Sequence, residues 1–407
     1  INYGAYLAGR HHGISDDQFL PHRIGNIAVL GSLNESDYRC YAEVRKLERD
    51  SVEFYFEIVD RAGKPMLVVD SISLRRVARK TIQQQAAAAK TLPVIDKKDP
   101  SIEAGAAAEK IAIIGMSCRY PMSENVDTFW ENLKAGKDCV IEVPADRWGA
   151  YSDWYHPDPR HPHTSYSKWS GFLDSIDTFD ALFFGISPAE AELIDPQQRI
   201  FLEECWKTIE SAGYAPSTLS NSPCGVYVGC SMSDYGRVLA TDGQDTAGAA
   251  FMGTSSAILA ARISYYLNLK GPALALDTAC SSSLVAVHLA CESIRSGENQ
   301  LALAGGINLL ATPFGHILTS QVGMLSRDGR CAAFDATANG IVFSEGCGVL
   351  LLKALSAAKR DNDNILGVIQ GSGSNQDGKT NGITAPSSKA QEQLLQQVYT
   401  KFGIDTK

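Results

Sequence analysis

Polar and apolar residues alternate in short runs through the first part of the chain, a pattern typical of β-strands. Three such runs lie at residues 41–44, 52–58 and 66–72. Between the second and third runs, residues 60–65 (DRAGKP) supply the Gly and Pro that a tight turn favours. The pattern predicts a small antiparallel meander from about Pro21 to Val77.

Beyond residue 110, strand-like runs alternate with helical patterns. Alternation at this spacing predicts an α/β layered fold with a largely buried sheet. The strand-like runs are residues 111–115, 225–229, 273–276, 301–309, 349–352 and 365–370, and the helical patterns are residues 189–212, 255–266, 281–296 and 388–401.

Between these regions the composition shifts to Gln, Ala and Lys, which is typical of a linker. A chain of 407 residues that is 44% hydrophobic also exceeds what one core normally absorbs. We therefore predict a small β domain at 1–78, a linker at 79–109 and an α/β domain at 110–407. The chain begins with Ile1 and ends just after a helical pattern, so we expect it to be part of a longer protein.

Charge and cysteine content exclude several classes of function and partner. The 37 Lys and Arg residues face 46 Asp and Glu residues, and no basic block is present, which argues against nucleic acid as a partner. The apolar stretch at 301–311 contains glycine and is too short to span a membrane. The ten cysteines form no CxxC pair, so we expect neither a metal site nor a disulfide framework, and a cytoplasmic location.

The sharpest candidate for chemistry is Cys280, within residues 277–284 (DTACSSSL). A buried-strand pattern precedes it and an apolar helical pattern follows, which places the thiol at a helix N-terminus. Unpaired amides there stabilise a thiolate, and small neighbours leave room for a thioester carbonyl and its oxyanion. The alternative is a buried, inert thiol. We interpret the other cysteines considered as core residues: Cys118, Cys139, Cys205, Cys230, Cys291 and Cys347.

A thiol nucleophile usually works with histidine, and downstream of Cys280 the chain contains only His288 and His316. His288 lies eight residues along the same predicted helix, a rise of about 12 Å, so a direct hydrogen bond to Cys280 is not expected. We interpret it as a core histidine with its own partner. His316 follows residues 313–315 (PFG) in a predicted loop, and no role is assigned to it.

Two motifs imitate other enzymes. Residues 373–380 (GSNQDGKT) match the letters of a phosphate-binding P-loop, but Gly382 and Pro386 intervene before any helical pattern resumes, so we reject nucleotide binding. Residues 229–233 (GCSMS) begin like a hydrolase nucleophile elbow but lack its closing glycine.

The sequence around Cys280 resembles the ketosynthase domain of modular polyketide synthases and animal-type fatty acid synthases. The resemblance extends over residues 110–407. The matching segments are 111–116 (IAIIGM), 143–148 (VPADRW), 183–188 (FFGISP), 195–199 (DPQQR), 262–265 (RISY), 304–306 (AGG), 334–336 (FDA), 345–346 (EG) and 375–378 (NQDG). The last of these accounts for the false P-loop.

This resemblance implies a thiolase-like fold of duplicated α/β halves, and a homodimer in the full-length protein. It implies that Cys280 accepts an acyl chain from a phosphopantetheine arm and then takes part in decarboxylative Claisen condensation with a malonyl-type thioester. No cofactor would bind directly. The partners would be acyl carrier protein domains and the neighbouring polyketide synthase domains.

The family completes its site with two histidines, in a His-Gly-Thr-Gly-Thr motif and an Asn-Ile-Gly-His motif. Neither motif occurs in the 407 residues. We expect both to lie beyond the end of this chain. Two alternatives stay open: a non-elongating ketosynthase that only transfers the acyl chain, and a structural partner subunit of a condensing pair.

The N-terminal β region resembles the end of a polyketide synthase dehydratase, which has a hot-dog fold. The resemblance rests on residues 19–21 (FLP) and 71–75 (SISLR). Neither dehydratase catalytic residue can be assigned in this chain. His11 and His12 do not reproduce the family's histidine motif, and we interpret them as exposed loop residues.

Overall fold

The computed structural model describes residues 18–24, 27–29, 39–48, 51–60, 62, 64–77, 109–149, 151, 153–231, 233–243, 248–382 and 384–406. The chain divides into two units, Ile1–Ile102 and Glu103–Lys407. The predicted linker at 79–109, apart from Glu109, lies outside the described residues, as do His11 and His12.

The first unit contains a five-stranded antiparallel sheet in the order β1-β5-β4-β3, with β2 also paired to β5. The predicted turn after β4 is held by Asp60, whose carboxylate oxygen Oδ1 accepts from the backbone N–H groups of Ala62 and Lys64 at 2.9 Å each. The predicted meander is thus confirmed. Its strands are β1 (Gln18–Ile24), β2 (Ile27–Val29), β3 (Arg39–Glu48), β4 (Ser51–Val59) and β5 (Pro65–Val77).

The second unit mixes strands and helices. Its strands are β6 (Ile111–Arg119), β7 (Ile141–Glu142), β8 (Trp169–Gly171), β9 (Cys224–Gly229), β10 (Ala273–Leu276), β11 (Leu301–Asn308), β12 (Phe343–Ser344), β13 (Gly346–Ala354) and β14 (Gly367–Ile369). Its helices are α1 (Val126–Lys134), α2 (Ala145–Trp148), α3 (Pro188–Leu193), α4 (Pro196–Ser211), α5 (Tyr235–Thr241), α6 (Gly248–Thr254), α7 (Ser256–Leu267), α8 (Ser282–Arg295), α9 (Phe314–Gln321), α10 (Leu355–Arg360) and α11 (Ser388–Phe402).

The main sheet has the strand order β10-β9-β11-β13-β6-β14. Strand β9 pairs in parallel with β10 and β11, whereas the pairs β11–β13, β13–β6 and β6–β14 are antiparallel. A smaller sheet has the order β12-β8-β7. All six predicted strand runs of this unit therefore exist, and they assemble into one mixed sheet.

Helices cover both faces of the main sheet. On one face, Val226, Val228 and Leu303 belong to the core cluster that contains residues of α4 and α7. On the other face, Tyr227, Ala302 and Ala304 belong to a second cluster that contains residues of α8. Side chains alternate in direction along a strand, so neighbouring residues of β9 and β11 serve opposite layers. The layered α/β architecture expected from the sequence is confirmed.

The expectations for one helix and one strand were wrong. The helix predicted over 189–212 is divided into α3 and α4, because Asp195 caps the second helix from a non-helical conformation and Pro196 occupies its first turn. Strand β10 was expected to be buried, but its first two residues are exposed, and Leu274 is 42% exposed. The physical reason is that β10 is an edge strand of the main sheet.

Candidate active site

Cys280 lies on the turn that joins β10 to α8. Strand β10 ends at Leu276, residues Ala279–Ser281 form a single 3₁₀ turn, and α8 begins at Ser282. The Cys280 side chain is exposed. The structure therefore places this thiol at a helix N-terminus, as the sequence predicts.

Side chains of the same segment fix the backbone of this turn. The hydroxyl of Ser282 accepts from the backbone N–H of Thr278 at 2.8 Å and donates to the carbonyl of Ala279 at 2.7 Å. The carboxylate of Asp277 accepts from the backbone N–H of Ala279 at 3.0 Å. These bonds close the turn around Cys280 from both sides.

Ala279 adopts a left-handed backbone conformation, with φ of +56°. A residue with a Cβ atom is strained in this region, at a cost of about 1 kcal/mol or more. Such strain persists only where the surroundings impose it, and here the Ser282 and Asp277 bonds do so. The strained residue directly precedes the exposed thiol, which is an arrangement typical of functional turns.

Most other cysteines are inert by burial. Burial raises the pKa of Cys118, Cys230 and Cys291 to about 11. Cys205, Cys224 and Cys347 are buried as well. The prediction that Cys139 is a core residue was wrong, because it lies in the loop between α1 and β7 and is only partly buried. Among the cysteines whose side chains the structure describes, Cys280 and Cys331 are the exposed ones.

Cys331 differs from Cys280 in its surroundings. It lies in a loop before β12, and its sulfur accepts from the backbone N–H of Val342 at 3.1 Å. It lines a separate cavity of about 350 Å³. Exposure alone therefore does not single out Cys280, whereas the combination of exposure, a strained turn and a helix N-terminus does.

A cavity of about 870 Å³ lies beside Cys280. Its lining is mostly apolar, and glycines from three strands form part of its wall: Gly229 on β9, Gly306 on β11 and Gly348 on β13. The start of α8 packs against Gly229 and Gly306, and the Tyr120 hydroxyl lies against Gly348, so these glycines let neighbouring segments lie close to the sheet beside the cavity. The cavity is large enough for the acyl end of a thioester next to the thiol.

Glu345 is a buried carboxyl group on the wall of this cavity. It accepts from the guanidinium of Arg147, and it accepts at 2.9 Å from each of the backbone N–H groups of Leu173 and Leu310. Burial raises the pKa of Glu345, while Arg147 and the two amides oppose this rise. The carboxyl group ties three segments together at the cavity edge.

Neither downstream histidine is placed to assist Cys280. The Nδ1 of His288 lies 2.9 Å from the Ser372 hydroxyl, so the expected partner is present, but the side chain is only partly buried on α8, so the expectation of a core residue was wrong. His316 was expected in a loop, but it lies on α9 and is completely buried. Its Nδ1 lies 3.1 Å from the Ser165 hydroxyl, and its ring packs against Trp148.

The rejection of the P-loop motif agrees with the structure. The first helix after Lys379 and Thr380 is α11, which begins only at Ser388, so no helix N-terminus is available to a phosphate group at that pair. Across the described part of the chain, no group of three or more His, Cys, Asp or Glu side chains could hold a metal ion. None of the described helices is both long enough and apolar enough to cross a membrane.

Sequence reasoning missed the contacts that hold the turn in place. It treated Ser282 as one of several small neighbours, although this hydroxyl makes both bonds across the turn. It also assigned no role to Gly229 and Gly306, against which the start of α8 packs. A glycine inside a strand pattern is a signal of close backbone approach, and the pair Gly305–Gly306 carried that signal.

The second unit thus combines a mixed sheet covered by helices on both faces with an exposed cysteine on a strained turn before a helix, which makes Cys280 its candidate nucleophile. Residues 108–358 match the family model described as β-ketoacyl synthase, N-terminal domain, and residues 366–407 match the β-ketoacyl synthase, C-terminal domain. The chain belongs to the β-ketoacyl synthase family, and its second unit has the thiolase-like α/β fold of ketosynthases.

Curated relatives are modular enzymes. The chain is 48% identical over 315 residues to polyketide synthase PksL of Bacillus subtilis (strain 168), which covers 77% of this chain and 7% of that protein. It is 44% identical over 306 residues to polyketide synthase PksN of the same organism, which covers 74% of this chain and 6% of that protein. The chain thus spans a small part of these relatives.

Solved ketosynthase structures are similar to this chain in fold. The ketosynthase from module 6 of the bacillaene synthase of Bacillus subtilis 168 superimposes with a TM-score of 0.65 at 48% identity, covering 73% of this chain and 49% of that chain. The oxazolomycin ketosynthase domain of Streptomyces albus JA3453 gives a TM-score of 0.68 at 41% identity, covering 72% of this chain and 51% of that chain. The chain spans about half the length of these solved ketosynthases.

Proposed function

We propose that this chain is the acyl-accepting part of a polyketide synthase ketosynthase, with Cys280 as its nucleophile. The Cys280 thiolate attacks the carbonyl carbon of an acyl thioester, and the tetrahedral intermediate collapses with loss of the carrier thiolate. A new Cys280–acyl thioester forms, the carrier thioester bond breaks, and the proton of the Cys280 thiol ends on the released thiol.

The observation that carries this proposal is the position of Cys280. It is the exposed thiol that combines a strained neighbouring residue, a helix N-terminus and an adjacent apolar cavity. Cys331 is also exposed and also lines a cavity, but it lies in a loop, with neither a strained neighbouring residue nor a helix N-terminus beside it. Membership of the β-ketoacyl synthase family supports acyl transfer as the chemistry.

The condensation step is also part of the proposal, but for the parent protein. The family's two histidine motifs are absent from the 407 residues. His288 and His316 cannot replace them here, since the first is bonded to Ser372 and the second is buried among aromatic rings. We therefore expect the 407-residue chain to become acylated without forming a carbon–carbon bond.

The substrates we propose are acyl groups on phosphopantetheine arms of acyl carrier protein domains, with no directly bound cofactor. The apolar cavity beside Cys280 suits the acyl end of such a thioester. Modular architecture of the relatives supports neighbouring polyketide synthase domains as partners. A cytoplasmic location is included in the proposal, since the cysteines whose side chains are described are free thiols.

We also propose that two copies of the chain associate, as the family resemblance implies. Strand β10 is an edge of the main sheet and leaves backbone groups free to pair with another strand. Leu274 on β10 is partly exposed, and Tyr265 on α7 and Leu284 on α8, two helices that pack against β10, are largely exposed. An exposed apolar edge of this kind is typical of an interface.

For the N-terminal unit we propose a fragment of a dehydratase-like hot-dog domain at residues 1–78. Its antiparallel sheet is compatible with such a fold, and β5 is long, at 13 residues. No catalytic role is proposed for this unit.

Mass spectrometry of the protein after exposure to an acyl-pantetheine thioester tests the main proposal. We expect one acyl mass gain, located on the peptide containing Cys280 and absent in Cys280→Ala. Cys331→Ala is the matched control, because it removes another exposed thiol, and it should keep the gain. Elongating and non-elongating ketosynthases both predict this gain, whereas a structural partner subunit predicts none, so an unmodified Cys280 would refute the proposal.

A further inference from the structure

The first turn of α8 lies unusually close to two strands of the main sheet. A Cβ atom on Gly306 of β11 would lie 2.6 Å from the Cβ of Ser283, and a Cβ atom on Gly229 of β9 would lie 2.4 Å from the backbone C of Ser282. Ordinary contacts between carbon atoms are about 3.5–4.0 Å. Side chains at these two strand positions are therefore incompatible with the observed position of the helix.

The two glycines act on the same part of the helix from neighbouring strands. Gly306 and Gly229 pair directly in the parallel register of β11 and β9. Residues paired in this way point to the same face of a sheet. Together they leave a flat area of backbone on which the residues Ser282 and Ser283 rest.

The position of Ser282 determines the position of the Cys280 thiol through hydrogen bonds within the turn. Its hydroxyl is bonded both to the Thr278 amide and to the Ala279 carbonyl, so the turn moves with the start of α8. Cys280 lies inside that turn. A displacement of the helix start by about 1 Å would move the sulfur relative to the cavity by a similar distance, and such a shift can lower a rate about 100-fold.

We propose that Gly306 is a positioning residue for Cys280: by lacking a side chain it lets Ser283 seat against β11 and thereby sets the height of the Cys280 turn above the sheet. This proposal rests on the proposed function, in that Cys280 is taken as the acyl acceptor. Gly229 acts in the same way, but there a Cβ atom would meet backbone atoms that no side-chain substitution can remove.

The Gly306–Ser283 contact offers a compensating test. Gly306→Ala should lower the rate of Cys280 acylation by an acyl-pantetheine thioester about 10- to 100-fold. Adding Ser283→Gly removes the Cβ at 2.6 Å and leaves the Gly229 carbonyl oxygen, at 3.1 Å, as the tightest remaining contact, so the double variant should regain at least half of the loss on a logarithmic scale. Ser283→Gly alone supplies the baseline. Gly367→Ala on β14 is the matched control, because a Cβ there meets only ordinary contact, at 3.7 Å.

Alkylation by iodoacetamide separates this proposal from the proposed function. The rate at Cys280, measured by peptide mass spectrometry relative to Cys331 in the same molecule, does not depend on acyl transfer. We expect this ratio to fall in Gly306→Ala and to recover in the double variant. A wild-type protein that is never acylated would refute the proposed function alone, whereas these alkylation ratios would still decide the placement of the thiol.

Three outcomes would overturn the positioning role of Gly306. The first is acylation and alkylation in Gly306→Ala within twofold of wild type. The second is a loss that the double variant does not recover. The third is a Gly306→Ala protein without a cooperative thermal transition, since Gly306 would then be needed for folding rather than for placing Cys280.

Discussion

At the residue scale, burial decides which cysteines can form a reactive thiolate. Burial disfavours a charged thiolate, and the raised pKa values of Cys118, Cys230 and Cys291 express that cost. These three thiols are therefore unreactive at neutral pH although they lie within the same unit as Cys280. What makes Cys280 a candidate is its setting on a turn.

Burial also disfavours the charged form of His316, and this effect predicts that the stability of the protein depends on pH. Burial lowers the pKa of His316 to about 4. The unfolded chain binds a proton at this residue below about pH 6.5, whereas the folded chain does not until about pH 4. The free energy of unfolding should therefore fall as the pH drops through this window, by about 2 kcal/mol between pH 7.5 and 5 from this residue alone.

Urea unfolding of wild type and His316→Gln at pH 7.5 and 5 measures this contribution. Glutamine keeps hydrogen-bonding groups near Ser165 and the Trp169 carbonyl but does not titrate. We expect the variant to lose about 2 kcal/mol less than wild type over this pH interval. Equal losses in the two proteins would show that His316 does not stay neutral in the folded state.

At the element scale, caps and proline decide where helices begin. The pattern over residues 189–212 predicts one helix, but Asp195 accepts from the Gln197 N–H at 2.8 Å and caps α4 at Pro196. The side-chain amide nitrogen of Gln197, Nε2, also donates to the second carboxylate oxygen of Asp195, at 3.2 Å. This buried cap separates α4 from α3, although hydrophobic periodicity continues across the break.

Replacement of Asp195 tests the cap. Asp195→Ala should lower the free energy of unfolding by about 1–2 kcal/mol, because it leaves a buried N–H group without an acceptor. Asp195→Asn is the matched control and should stay within about 0.5 kcal/mol of wild type. Its side-chain oxygen still caps the helix, and once the Gln197 side-chain amide turns over, the NH₂ group of the new asparagine can donate to Gln197 Oε1, which has no partner in the native protein. Chemical denaturation provides the values, and an equal loss in both variants would contradict the capping role.

At the scale of the whole molecule, the two edges of the main sheet differ in what surrounds them. Strand β10 forms one edge, close to the Cys280 turn, and β14 forms the other. Each carries an apolar side chain of similar exposure, Leu274 at 42% and Val368 at 41%. The proposed association of two copies uses only the β10 edge, which is flanked by exposed Tyr265 and Leu284.

This asymmetry gives a prediction for the assembly. Leu274→Lys should weaken association by at least tenfold, because it places a charge in an interface core and like charges would face each other across a twofold axis. Val368→Lys introduces the same charge at the opposite edge and should leave association unchanged. Sedimentation velocity over a range of concentrations distinguishes the two. A monomeric wild-type protein, or equal weakening by both substitutions, would refute β10 as the interface.

The sequence by itself determined the local elements of this protein and its candidate nucleophile. Strands such as β9 and β11 and helices such as α7 and α8 follow from hydrophobic periodicity, which depends on neighbouring residues alone. The position of Cys280 before α8 follows from the same local pattern. The family resemblance was also carried by short ordered motifs, and the match over residues 108–358 confirms it.

Only the tertiary structure decided which distant residues meet. His316 is buried among rings from α2 and β12, and Gly306 meets Ser283; both contacts join segments far apart in the chain. The exposed edge at β10 likewise depends on the order of the strands in the sheet. Periodicity carries no information on such contacts, because a strand pattern is the same at the centre and at the edge of a sheet. A glycine in a strand signals close approach, but the sheet order selects the helix residue that approaches it.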